Sequence, residues 1–209
     1  MKGVGNMAET RASENHRLLV STRNAHKVGE IRAILGDSFE VFDLSILPHR
    51  PEVEETGMTF EENATLKAVA ASLLFEGWVI ADDSGLEVDV LEGSPGVYSA
   101  RYAGGSATDA DNNALLLRNL AGVRGKERSA RFRCVIALAR AGRKLAAFSG
   151  AVEGLIVNEH KGTGGFGYDP LFVPDGYGET FGQLPAEVKN RLSHRAQALE
   201  KLREWRGWW

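Results

Sequence analysis

The sequence predicts an α/β protein with a mixed β-sheet covered by helices, and three observations carry that expectation. Apolar strand-like runs alternate with amphipathic segments through the first half of the chain, and strictly alternating runs cluster around a turn in the second half. The chain has 209 residues, 43% hydrophobic and 25% charged, which is enough apolar content for one sizeable core. Residues 1–16 are polar and aperiodic and read as a mobile tail, leaving residues 17–209 as a single domain.

RLLVST opens the domain as a short strand. In the AHKVGEIRAILG that follows, Val28, Ile31, Ile34 and Leu35 form one helical stripe, stopped by Gly36. FEVFDL, residues 39–44, is a second strand. Thr59 and Glu62 form a capping-box signature for a helix expected to run to Gly77. WVIAD, residues 78–82, is a buried strand leading into Asp83-Ser84-Gly85, which puts a carboxylate pair at the expected strand end. Thr108 caps a helix closed by Gly122. ARFRCVIAL alternates, with Phe132, Cys134, Ile136 and Leu138 on one face, and turns at Ala141-Gly142-Arg143 into KLAAFSGAVEG as a hairpin. A helix from Ser193 carries the apolar row Ala196, Leu199 and Leu202.

No run approaches the 18 apolar residues of a membrane span, and the N-terminus has no secretory apolar segment, so a soluble, cytoplasmic protein is expected. The single cysteine, Cys134, reads as a core thiol and suits a reducing compartment. A formal net charge of -3 argues against general nucleic-acid binding. The distribution is uneven, because residues 37–92 hold 14 acidic and 2 basic residues while both flanks are basic.

Four segments carry candidate chemistry. Ser21 to Lys27 bridges the first strand and helix, where free N–H groups attract anions; the competing reading is that Thr22 or Asn24 only caps the helix. Glu54, Glu55, Asp82 and Asp83 offer hard oxygens suited to magnesium, with water and phosphate completing its shell. GTGGFGYDP brings close-approach glycines beside Phe166 and Tyr168, as a base-stacking site or as a tight turn. His194 and Arg195 open the last helix, where cations oppose the dipole, so that an electron-rich ligand or simple exposure to solvent is needed to explain them. Trp205, Trp208 and Trp209 suggest packing against the domain or a second subunit.

Together STRNAHKVGEI, EETGMTFEENATLKA, ADDSGLEVDVLEGSPGVYSARYAG, GGFGYDPLF and LSHRAQAL resemble the inosine triphosphate pyrophosphatase family, also called dITP/XTP pyrophosphatases. The resemblance implies an elongated fold of two lobes with a nucleotide cleft between them, usually as a homodimer. It also implies Mg²⁺-dependent hydrolysis of ITP, dITP and XTP to the monophosphate and pyrophosphate. Residue by residue it matches Thr22, Asn24 and Lys27 to the phosphate-binding loop, and the intervening Arg23, Ala25 and His26 are expected to bind substrate with them. It makes Glu55 and Asp83 the metal carboxylates and Asp83 the general base. Ser84, Phe166, Gly167, Tyr168, Asp169, Lys189, His194 and Arg195 become the remaining substrate contacts. Two positions depart from the family pattern: Arg23 replaces a small residue, and Gln183 stands where a glutamate is frequent. A nucleotide sensor without turnover is the alternative from another class. It has no need of a water-activating carboxylate, and Asp83 is intact.

Overall fold

The computed structural model describes residues 16–208. Six strands form one sheet in the order β2-β1-β3-β4-β5-β6: β1 (His16–Val20), β2 (Phe39–Asp43), β3 (Trp78–Val88), β4 (Ser129–Arg140), β5 (Arg143–Ile156) and β6 (Phe172–Pro174). β1 pairs in parallel with both β2 and β3, and every later pairing is antiparallel, so the sheet is mixed as expected. The helices are α1 (Ala25–Leu35), α2 (Phe60–Ser72), α3 (Asp109–Asn119), α4 (Ala186–Leu192) and α5 (His194–Arg203). The tail expectation for residues 1–16 lies almost wholly outside the described residues, as does Trp209.

β3 is the strand on which the sheet changes character. Its first residues, Trp78 to Ile80, run parallel to β1, and residues 79–88 run antiparallel to β4. This corrects the expectation that Asp82 and Asp83 stand where a strand ends. They lie inside β3, paired with Ile136 and Val135 of β4. What ends at that level is β1, whose last partner is Ile80, and Ser21 closes it by donating its N–H to the Ile80 carbonyl at 2.7 Å. The two carboxylates therefore lie where one neighbouring strand stops and the other continues, and this opens the sheet at that point.

Two apolar clusters fill the two ends of this elongated sheet. One joins Leu18, Val20, Ile80, Cys134, Ile136 and Leu138 to Val28 and Ile31 of α1 and Leu199 and Leu202 of α5. The other joins Leu86, Phe132, Ile156, Phe172 and Phe181 to Leu116 and Leu120 beside α3. α2 packs on the opposite face through small residues: Ala64 and Ala68 meet Ala81, Ala137 and Ala139, which lets the helix lie close to the strands. Thr59 and Glu62 do form a capping box, but α2 stops at Ser72, before the expected Gly77. The buried Ser72 hydroxyl donates to the Val69 carbonyl and accepts the Gly142 N–H of the β4–β5 turn, so the helix end is fixed to the hairpin.

Candidate functional site

The turn between β1 and α1 is built from its own polar side chains. Thr22 Oγ1 accepts the Asn24 N–H at 3.2 Å, and Asn24 Oδ1 caps α1 by accepting the Lys27 N–H at 3.1 Å. Of the two capping candidates, Asn24 is the cap, and Thr22 instead holds the turn before it. Ala25 and His26 are exposed on the first turn, and Arg23 reaches Glu52 at 3.9 Å in open solvent. The exposed His26 ring lies parallel to Phe166, with centroids 5.4 Å apart, which brings the glycine-rich segment against this turn.

Lys27 leaves α1 and pairs with Asp82, which is 1% exposed. Asp82 also accepts from Arg195 Nε at 3.1 Å, from the Cys134 thiol at 2.9 Å and from the Ser84 hydroxyl at 3.3 Å. Against the burial that would raise it, Arg195 and Lys27 hold the Asp82 carboxyl well below the usual range. Cys134 is more than a filler of the core, since it donates to this carboxylate, and burial pushes its thiol pKa well up.

Asp83 faces the other way, toward α2. Its Oδ1 lies 2.8 Å from Lys67 Nζ, and its Oδ2 accepts from Asn63 at 3.4 Å. Burial raises its pKa in spite of the nearby Lys67. Lys67 Nζ is also 2.9 Å from Glu55 Oε1, and Arg101 approaches Glu55 Oε2 at 3.4 Å. Desolvation works against the Glu55 carboxylate, but Lys67 and other cations lower its pKa on balance. Glu54 is exposed and takes no part in this group. Sequence reasoning missed Lys67 and Arg101; the available signal was that Lys67 is one of only 2 basic residues in the acidic stretch 37–92.

Glu55 and Asp83 come from separate segments, yet they direct an oxygen each at one cationic point. That donor set fits a divalent cation which keeps water and phosphate as its other ligands. Among the described residues no cluster of three or more His, Cys, Asp or Glu side chains forms a metal cage. A groove of about 1230 Å³ beyond the α2 N-terminus adjoins the site at Thr56 and Gly57 but is lined by neither Glu55 nor Asp83. Converging charge therefore marks the site better than cavity size does.

The remaining contacts form a buried chain of alternating charge. Asp169 accepts the Phe166 N–H at 2.8 Å and pairs with Lys189; Lys189 Nζ lies 2.7 Å from Glu30 Oε1; Glu30 pairs with Arg195, and Arg195 with Asp82. Glu30 was not anticipated. The structure overturns the expectation that His194 and Arg195 reach solvent, since they are 4% and 1% exposed. Arg195 is neutralised by Asp82 and Glu30, and its Nη2 donates to Ser84 at 3.0 Å. His194 stacks on Phe132 with centroids 4.9 Å apart, and burial followed by the Arg195 and Lys189 charges keeps it neutral. The Tyr168 hydroxyl is committed to the Ser99 carbonyl at 2.9 Å, so it braces the pocket wall. Gln183 accepts the Thr180 N–H at 3.1 Å, a turn contact that any side-chain oxygen there can make.

This combination defines a class: an α/β protein whose parallel strand ends on a cationic turn, with hard carboxylates from neighbouring elements at the same level, where such folds bind phosphorylated ligands. The chain belongs to the Ham1 family, whose family model matches residues 18–205. The dITP/XTP pyrophosphatase of Geobacter sulfurreducens is 52% identical over 193 residues, covering 92% of this chain and 97% of its own. That of Listeria innocua is 49% identical over 187 residues, covering 89% and 92%. Among solved structures, the Staphylococcus aureus Ham1 protein superposes with a TM-score of 0.78 at 41% identity, covering 89% of this chain and 95% of that one. A nucleoside-triphosphatase / dITP/XTP pyrophosphatase from Mycobacterium abscessus gives 0.72 at 39% identity, covering 90% and 100%.

Proposed function

We propose that this protein hydrolyses deaminated purine nucleoside triphosphates, ITP, dITP and XTP, to the monophosphate and pyrophosphate, and so removes them before they enter DNA or RNA. The observation that carries the reading is the approach of Asp83 and Glu55 to a single cationic point beside Lys27, in a chain whose relatives bear the name dITP/XTP pyrophosphatase. Glu55 and Asp83 would hold Mg²⁺, which when bound supplies positive charge to the phosphate oxygens.

The chain's own residues do the rest. Asp83, whose burial raises its proton affinity, takes the proton of the attacking water as that oxygen bonds to the α-phosphorus and the bond to the bridging α–β oxygen breaks. Lys27 and the N–H groups of the 22–27 turn receive the charge that moves onto the departing pyrophosphate. Phe166, packed between His26 and Lys189, lines the place for the base. A 6-oxo purine presents an acceptor where adenine presents an amino group. Arg195 is consumed by Glu30, Asp82 and Ser84, whereas the buried His194 keeps Nδ1 with no partner among the described residues, so His194 is the donor we assign to that edge. The protein acts in the cytoplasm as a homodimer of a single domain spanning residues 17–209. No helix among the described residues is long and apolar enough to cross a membrane.

A panel of ITP, XTP, dITP, GTP, ATP and dUTP with product identification tests the reaction. The expected result is one pyrophosphate per turnover with ITP, dITP and XTP. Direct release of orthophosphate would sink the assignment, and tight binding without turnover would convert the reading into a nucleotide sensor.

A further inference from the structure

Gly167 lies between the two aromatic residues of the glycine-rich segment in a left-handed conformation, φ 61°. It has no side chain to anchor it, and such a residue is the most easily moved in a loop. Both of its backbone groups are nevertheless held from α3. Its N–H donates to Asp109 Oδ2 at 2.7 Å, and its carbonyl accepts from Asn113 Nδ2 at 3.0 Å. Asp109 and Asn113 are four residues apart, so they share one helix face.

Neither side chain is engaged in holding α3 itself. The N-terminus is capped by Thr108 and Asp111, and Asn112 ties the helix to the Ala103 N–H and the Ala100 carbonyl. Leu116 and Leu120 seat it in the second apolar cluster. Asn113 is buried, and with its amide turned to the Gly167 carbonyl its Oδ1 has no partner among the described residues. A buried amide left half-satisfied is costly and calls for a reason. The neighbouring Phe166 supplies one: its ring lies against His26 and beneath Lys189 Nζ, 4.6 Å from the ring centre.

We infer that Asp109 and Asn113 are positioning residues that clamp Gly167 and thereby hold the Phe166 ring in place for the nucleotide base. The inference rests on the proposed function and adds to it two side chains that act through Gly167. Asp169 fixes the Phe166 N–H from one side, and the clamp on Gly167 fixes the same segment from the other. Loss of the clamp weakens base binding equally in the ground and transition states, which raises KM and leaves kcat alone.

The experiment compares ITP hydrolysis by Asp109→Ala, Asn113→Ala and Asp109→Asn with the unaltered protein, using inorganic tripolyphosphate as a competitor that lacks a base. Each alanine variant is expected to raise KM about tenfold with kcat within about twofold, and to leave the tripolyphosphate inhibition constant within about twofold. The double alanine variant should raise KM by less than the product of the two, because both residues hold one glycine. Asp109→Asn loses the same charge at the α3 N-terminus as Asp109→Ala but keeps an oxygen acceptor, so its KM should stay within about twofold of the original. A shift of the tripolyphosphate constant in step with KM, an Asp109→Asn variant matching Asp109→Ala, or unchanged KM in both alanine variants overturns the clamp. An unaltered protein that cleaves no triphosphate of the panel overturns the hydrolase reading itself, and the clamp with it.

Discussion

Asp82 and Asp83 share a peptide bond but point to opposite faces of β3, and the alternation of a strand gives them different work. Asp82 is enclosed by Lys27, Arg195 and Cys134, whereas Asp83 meets Lys67 and Asn63 on the α2 side. Truncating one partner of a buried ion pair leaves the others uncompensated, so Asp82→Ala should cost about 3–5 kcal/mol in chemical denaturation. Asp83→Asn should fold normally and lose at least about a hundredfold in kcat, as expected of a general base beside a metal site. An Asp82 variant of full stability, or an Asp83 variant of near-normal rate, would refute this division. The sequence shows both aspartates as a chemical pair, but not which is structural. That depends on register, because Cys134 and Arg195 reach Asp82 only once β4 and α5 have docked.

At the scale of elements, the segments with strong local signals were readable: the capping box before α2, the Thr108 cap of α3, the alternating β4, and the Ser193 cap of α5. α4 was not, because its seven residues, Ala186–Leu192, lack a side-chain cap and are too few for a clear helical period. The end of α2 was misjudged because a tertiary contact, Gly142 N–H to Ser72, stops it ahead of any glycine. The seat of α5 is just as tertiary. A Cβ at Gly150 of β5 would come 2.1 Å from the His194 carbonyl and 2.9 Å from the Ala198 nitrogen, so the first turn of α5 depends on a bare backbone there. Gly150→Ala should therefore cost about 1–3 kcal/mol through overpacking, and should lower activity with it by displacing His194 and Arg195. Thermal unfolding and kinetics of this variant check both, and an unshifted midpoint with full activity refutes the close approach.

At the scale of the molecule, the uneven charge of the sequence becomes one connected system. Asp82 from the acidic stretch, Lys27 and Glu30 from the N-terminal flank, and Asp169, Lys189 and Arg195 from the C-terminal flank meet in one buried chain. That system sets an acid response. Burial, Arg195 and Lys189 push the His194 pKa well below its usual 6.5, so below that pH the unfolded chain binds a proton that the folded protein refuses. Stability should fall by about 1.4 kcal/mol per pH unit from this group as pH drops below 6.5 toward its folded pKa. Asp83 and Asp169 have raised pKa values, so protonating them on acidification relieves their burial and acts in the opposite direction. The difference between the unaltered protein and His194→Phe, which keeps a ring on Phe132, isolates the histidine. Parallel stability-against-pH curves for the two proteins would refute it.

Three of the four tryptophans sit together where the chain closes: Trp78 at the start of β3 meets Trp205 and Trp208, with ring centres 5.1–5.8 Å apart. Asp83 lies five residues further along the same strand, about 17 Å away at the rise of a β-strand. This cluster gives the protein a built-in optical reporter of one event, the packing of the segment that follows α5 against Trp78 of β3 and Phe39 of β2. Emission from these three indoles follows folding and assembly of that seam, some distance along β3 from the carboxylates.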